Sequence, residues 1–141
     1  MIRITPPTTP IATIVEAKAQ ARVDGDDEDA LIQTYLDAAT SWVDGFDGVL
    51  GRCVMSQTWQ ASADEVACGP VPLDVLTQVD NEDGSVDYTC ALPSEKVASV
   101  KASVLLLVAY WYDQRSAATA GKFEDAPLAV RALLAPLRVW I

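Results

Sequence analysis

Between Lys101 and Asp113 the chain runs eleven residues without a charge, inside the longer segment SEKVASVKASVLLLVAYWYDQR from Ser94 to Arg115. Val97, Val100, Val104, Leu107, Val108 and Trp111 recur there at helical spacing. Ser94 can cap the first turn, and Glu95 sits where a helix N-terminus favours negative charge. The segment is predicted to be one long helix. Its apolar stripe widens until the middle must be covered on nearly every side, which makes it the central element of the fold. A membrane span is the poorer reading, because eleven residues rise only about 16 Å, roughly half of a bilayer's hydrocarbon core.

The rest of the chain supplies the cover. Thr13 to Val23 opens with Thr-x-x-Glu, a capping box in which Thr13 and Glu16 satisfy each other's backbone donors, so a short helix is expected over 13–23. Asp24 and Gly25 break it. Asp26 or Asp27 then caps a second helix, 27–47, with Leu31, Tyr35, Ala38, Trp42 and Phe46 as its apolar face. The acidic run Asp24 to Asp29 is not a calcium loop, since the sixth position is Asp29 rather than Gly and the twelfth is Tyr35 rather than Glu. Helix capping explains it. After Gly45, Gly48 and Gly51 the period changes to two, and Val54 to Ala61 reads as a strand. Ala61 to Pro72 reads as a loop in which Asp64 and Glu65, being adjacent, do not form a catalytic carboxylate pair. Leu73–Val79 and Ser85–Ala91 flank DNEDG as a β-hairpin. Ser116 to Asp125 reads as a linker with a turn at Gly121, and Pro127 starts a helix over 127–135 that Pro136 ends.

The fold class expected is α+β and predominantly α. It is a helical bundle around one long central helix, with a small antiparallel hairpin and strand inserted, in one domain over 1–141. Residues 1–12 are its extended lead and 136–141 its apolar tail.

Composition narrows the function. The chain contains no histidine, which removes the usual general base and every Ser-His or Cys-His nucleophile pair. Cys53, Cys68 and Cys90 are an odd, widely spaced set that suits neither a disulfide framework nor a zinc site; buried free thiols are the simpler reading. With no metal spacing and no phosphate loop, catalytic, cofactor and metal residues are all read as none, and the chain is not an enzyme. The formal net charge of −10 is lopsided: residues 1–90 carry 16 acids and 4 bases, residues 91–141 carry 4 acids and 6 bases. An acidic surface repels phosphates, so tight DNA binding is disfavoured. MIRITPPTTP holds no apolar run long enough for a secretory signal, and a cytoplasmic product with no membrane span is expected.

Two stretches carry a resemblance. LLLVAYWYDQR (Leu105 to Arg115) followed by PLAVRALLAPLRVW (Pro127 to Trp140) resembles the C-terminal half of the head-to-tail connector (adaptor) proteins of long-tailed bacteriophages. There an apolar helix ends in a His-Trp-Tyr-Glu-Asn-Arg-like sequence and a short helix ends in a Leu-Leu-x-Pro-x-Arg-like one. Tyr110 stands here for the usual His, and Asp113 and Gln114 stand where Glu and Asn are common. Val15 to Gly48 is similar to the family's opening helices. The resemblance covers the two ends, about two thirds of the chain, and leaves out Ser62 to Leu92.

It implies a structural virion protein: a homo-oligomeric ring of about twelve copies beneath the portal that continues the DNA channel toward the tail. The implied partners are the portal protein and the next connector (stopper) or tail protein, with double-stranded DNA passing through without specific binding and no cofactor. The implied location is the head-tail junction of a virion, or of a related gene transfer agent, assembled in the bacterial host cytoplasm. Arg131, Leu134, Leu137, Arg138, Val139, Trp140 and Ile141 are the candidate portal-interface residues, because the family uses its C-terminal segment there and buried Trp and Arg anchor many interfaces. For that segment a second reading stands beside docking, that it folds back onto the chain's own helices. For the whole chain the alternative is a small acidic binding module or inhibitor, a DNA mimic, which rests on the acidic N-terminal part alone.

Overall fold

The computed structural model describes residues 1–114 and 127–139. Its centre is the helix expected from the uncharged run. Ser94–Gln114, labelled α4 below, buries Val100, Ser103, Val104, Leu107 and Val108 along one side. Before it in the chain come β1 (Ile2–Thr5), α1 (Ile14–Ala21), α2 (Asp29–Val43), β2 (Gln57–Ala61), α3 (Ala63–Cys68), β3 (Val75–Asp80) and β4 (Val86–Cys90). After it comes α5 (Leu128–Leu134), running into a 3-10 turn, Ala135–Leu137.

The helices α1, α2 and α5 all pack on α4. They close a core of Ala17, Ile32, Leu36, Ala39, Val43, Val100, Val104, Leu107, Val108, Val130 and Leu134. Polar and aromatic contacts link the helices at the rim. Glu16 on α1 pairs with Lys101 on α4, Tyr112 donates its hydroxyl proton to Glu28 ahead of α2, and the Tyr35 and Trp111 rings meet edge to face at 6.3 Å. The capping box at Thr13 and Glu16 is present as expected, with Thr13 N–H donating to Glu16 Oε2 at 2.9 Å.

Helix α2 departs from expectation in three ways. Its N-cap is Glu28, without a side-chain cap, rather than Asp26 or Asp27. Asp26 lies instead against Lys18, whose ammonium meets it at 2.6 Å and Asp29 at 2.8 Å. The inward face is Ile32, Leu36, Ala39 and Val43, one residue on from the predicted Leu31, Tyr35, Ala38 and Trp42, so Trp42 is left exposed. A shift of one residue rotates a helix face by about 100°, and it is the aliphatic set that joins the valines of α4 in one buried cluster. The helix also stops at Val43, not 47, because Asp44 is extended and turns inward.

The strands form one antiparallel sheet in the order β1-β2-β4-β3. The expected hairpin is β3 and β4, closed by Asn81 to Ser85, with Gly84 at φ 81° and Asp83 Oδ1 accepting from Ser85 N–H at 3.0 Å. The expected extended lead contributes β1, a sheet strand paired with β2. Strand β2 begins at Gln57 rather than Val54. The stretch read as a loop after it contains α3, with its own capping box between Ser62 and Glu65. One sheet face covers a second cluster of Cys53, Trp59, Ala61, Val86, Tyr88 and Cys90, with Phe46 and Val75 against it. Cys53 and Cys90 are buried as expected, whereas Cys68, on the exposed α3, is not. Arg115, the expected linker Ser116 to Asp125 with its turn at Gly121, and Trp140 and Ile141 lie outside the described residues.

Candidate interface site at the C-terminal segment

The C-terminal segment is held by the loop between α2 and β2. Val139 N–H donates to Leu50 O at 2.9 Å, and Arg52 Nη1 donates to Leu137 O at 3.2 Å. Arg52 is only 7% exposed, and its other terminal nitrogen pairs with Asp74, just ahead of β3. Asp74 itself holds φ 58°, a left-handed conformation an Asp tolerates, and its carbonyl accepts from Ala91 N–H at 3.2 Å. One guanidinium thus joins the helical half, the sheet half and the chain's last described residues. Burial of such a pair is tolerable because each charge has a partner at hand.

A second polar knot fixes that same loop. Asp44, 3% exposed, accepts from Val54 N–H at 2.7 Å and from Gln57 Nε2 at 2.8 Å, while Gln57 Oε1 accepts from Trp59 Nε1 at 3.0 Å. Burial pushes the Asp44 carboxyl above its ordinary range, against the pull of these hydrogen bonds. Arg3 of β1 lies over the Trp59 ring at 4.9 Å and faces Asp47 at 3.6 Å. Gly45, at φ 93°, leaves the space that Arg3 and Trp59 occupy: a Cβ there would sit 3.1 Å from each.

The seven candidate residues therefore separate. Leu134 and Leu137 are buried with Val130 in the helical core, which is the fold-back reading for those two side chains. Arg131 and Arg138 are exposed, and Val139 is half-buried with its N–H committed to Leu50. Trp140 and Ile141 lie outside the described residues. The pattern of an apolar terminus could not tell inward from outward leucines, and Arg52, which grips the segment, carried no motif. Its signal was that it is the one base between Arg22 and Lys96, in an acidic stretch where an arginine is readily drawn into a pair.

Nothing in this arrangement performs covalent chemistry. Among the described residues no group of Cys, Asp or Glu could hold a metal ion, and no helix is long and apolar enough to cross a membrane. Asp64 and Glu65 fall in the first turn of α3, where Glu65 serves the capping box and pairs with the Met1 amine; the two hold its carboxyl down to about 2.

Comparison with known proteins bears on what such a scaffold is for. A search of curated proteins finds no match. A solved structure described as the neck of an empty GTA particle, computed with C6 symmetry, contains a chain of the same fold. The TM-score is 0.59 at 16% identity, over 98% of this chain and 96% of that one. The profile of the phage gp6-like head-tail connector proteins matches residues 11–138, from the first buried residue ahead of α1 to the arginine beyond the 3-10 turn. A match of that extent takes in the whole helical core, three of the four strands and the clasped C-terminal segment, so the chain belongs to the phage gp6-like head-tail connector family, which is structural and not enzymatic.

Proposed function

We propose that this connector is an adaptor. Its copies form a ring beneath the portal, continue the DNA channel toward the tail, and meet the portal through the C-terminal segment. The observation that carries the reading is the family match across 11–138, and the fold shared with a particle neck of C6 symmetry supports it. Sixfold symmetry accommodates six copies or a multiple of six, and about twelve is the number we adopt. The next connector or a tail protein closes the other end of the ring, and assembly takes place in the host cytoplasm.

Two features of the chain fit this role. The core buries Leu134 and Leu137 and leaves Arg131 and Arg138 exposed, so the anchored segment carries basic residues on its outer side, which suits an acidic partner. Twelve copies bring a formal charge on the order of −120, and the share that lines the lumen repels phosphates so that DNA slides. The acidic-inhibitor reading has no comparable support, since the acids about Lys18 and in the two capping boxes already have structural work.

A pull-down with portal protein tests the docking surface. The double variant Arg131→Glu/Arg138→Glu, checked for folding by its melt, is expected to bind portal at least about tenfold more weakly. Undiminished portal binding contradicts docking through this segment.

A further inference from the structure

Among the described residues no strand pairs with the outer edge of β1 or of β3. Strand β1 is exposed along its whole length, with Ile2 at 71% and Ile4 at 46%, and β3 is exposed beyond Val75, with Leu76 at 61% and Val79 at 55%. Unpaired strand edges carrying aliphatic side chains are templates for pairing with another chain. Strand direction says which partner fits. The order β1-β2-β4-β3 is antiparallel at every step, so β1 and β3 run in opposite directions, and β3 of one copy laid beside β1 of the next continues the same antiparallel pattern.

The cross-strand rows match at their ends as well. On the sheet face away from Trp59 and Tyr88, one row runs Ile2, Gln60, Asp87, Val79, with Gln60 Nε2 donating to Asp87 at 2.9 Å. The next runs Thr5, Thr58, Thr89, Thr77, with the Thr58 and Thr89 hydroxyls 2.9 Å apart. Carried across the boundary in step, Val79 meets the next copy's Ile2 and Thr77 meets its Thr5. These are β-branched pairs of the kind that stabilise neighbouring strands. Charge separates this from the self-pairing alternative. β1 has Arg3 as its one ionisable side chain, while β3 and its turn carry Asp80, Glu82 and Asp83. Two β3 edges would set acid against acid; β3 against β1 does not.

We propose that copies of this chain join edge to edge, β3 of one against β1 of the next, so that one antiparallel sheet runs continuously around the assembly. The contact is heterologous, as ring closure requires. Four strands about 4.8 Å apart give each copy about 19 Å of arc, so twelve copies close a sheet about 70 Å across. This inference rests on the ring reading above and adds the surface that makes the ring.

The test uses the full chain in a Cys68→Ser background, which removes the exposed thiol. Ile2→Cys and Val79→Cys proteins are mixed with portal protein and treated with a short bis-maleimide. Crosslinked dimers are expected in the mixture and in neither protein alone, and the variant carrying both substitutions is expected to give a ladder of multimers. In parallel, Ile2→Glu, which places acid against the acidic edge, is expected to melt like the parent and to lose rings in negative-stain images. Parent rings without the crosslink, or Ile2→Glu rings as abundant as the parent's, overturn the edge pairing and leave the connector reading standing. A parent chain that forms no ring even with portal present overturns both.

Discussion

Asp44 shows how one side chain's surroundings set a measurable property of the fold. Burial raises its pKa above the ordinary 3.8, so between that value and its raised folded value the native state holds a proton more readily than the unfolded chain. Stability from this residue is therefore largest at acid pH and declines as pH rises through that window. Asp44→Asn cannot titrate. The stability of the parent minus that of Asp44→Asn, from denaturant melts at several pH values, is expected to fall as pH rises from about 4; a difference that rises or stays flat contradicts the burial. Arg52 makes a separate claim. Arg52→Ala leaves the half-buried Asp74 without its guanidinium and frees the Leu137 carbonyl, and it is expected to cost about 3 kcal/mol in a denaturant melt, with faster amide exchange at Val139. A loss under about 1 kcal/mol would mean the clasp is a surface contact.

At the scale of elements, what was legible depended on whether a local rule decided the outcome. The long α4, the hairpin at Asp83-Gly84 and the box at Thr13-Glu16 follow from period, turn chemistry and capping, which act within a few residues. The inward face of α2 does not, because Leu31-Tyr35 and Ile32-Leu36 are equally apolar and only the valines of α4 choose between them. Strand β1 is invisible for the same reason: IRIT beside two prolines becomes a strand only through β2, which lies more than fifty residues away. Helix α3 contradicts the loop expected from its charges and the glycine and prolines that follow; its one local signal is that Ser62 and Glu65 repeat the spacing of Thr13 and Glu16. No residue of α3 is buried, so its stability is local. Ser62→Ala is expected to remove about 1 kcal/mol from that helix alone. Amide exchange over 63–69 should quicken severalfold while the global melt moves little; a lowered global melt would place α3 within the cooperative core.

For the whole molecule, the candidate site was half legible. The resemblance located the C-terminal segment, but which of its side chains face outward depends on Arg52 and Leu50 reaching it from the middle of the chain, and no local pattern encodes that. Among the described residues, a helical core carries a sheet with no strand beyond β1 or β3 and a fastened segment ending in Arg138 and Val139. Each of these suits a part that is repeated around an axis and docks end-on. Electron microscopy of the purified chain mixed with portal protein tests this most directly. The expected images show closed rings of about twelve copies stacked coaxially on the portal with an open lumen; the chain remaining monomeric beside intact portals would contradict the assignment of this connector to a ring at the head-tail junction.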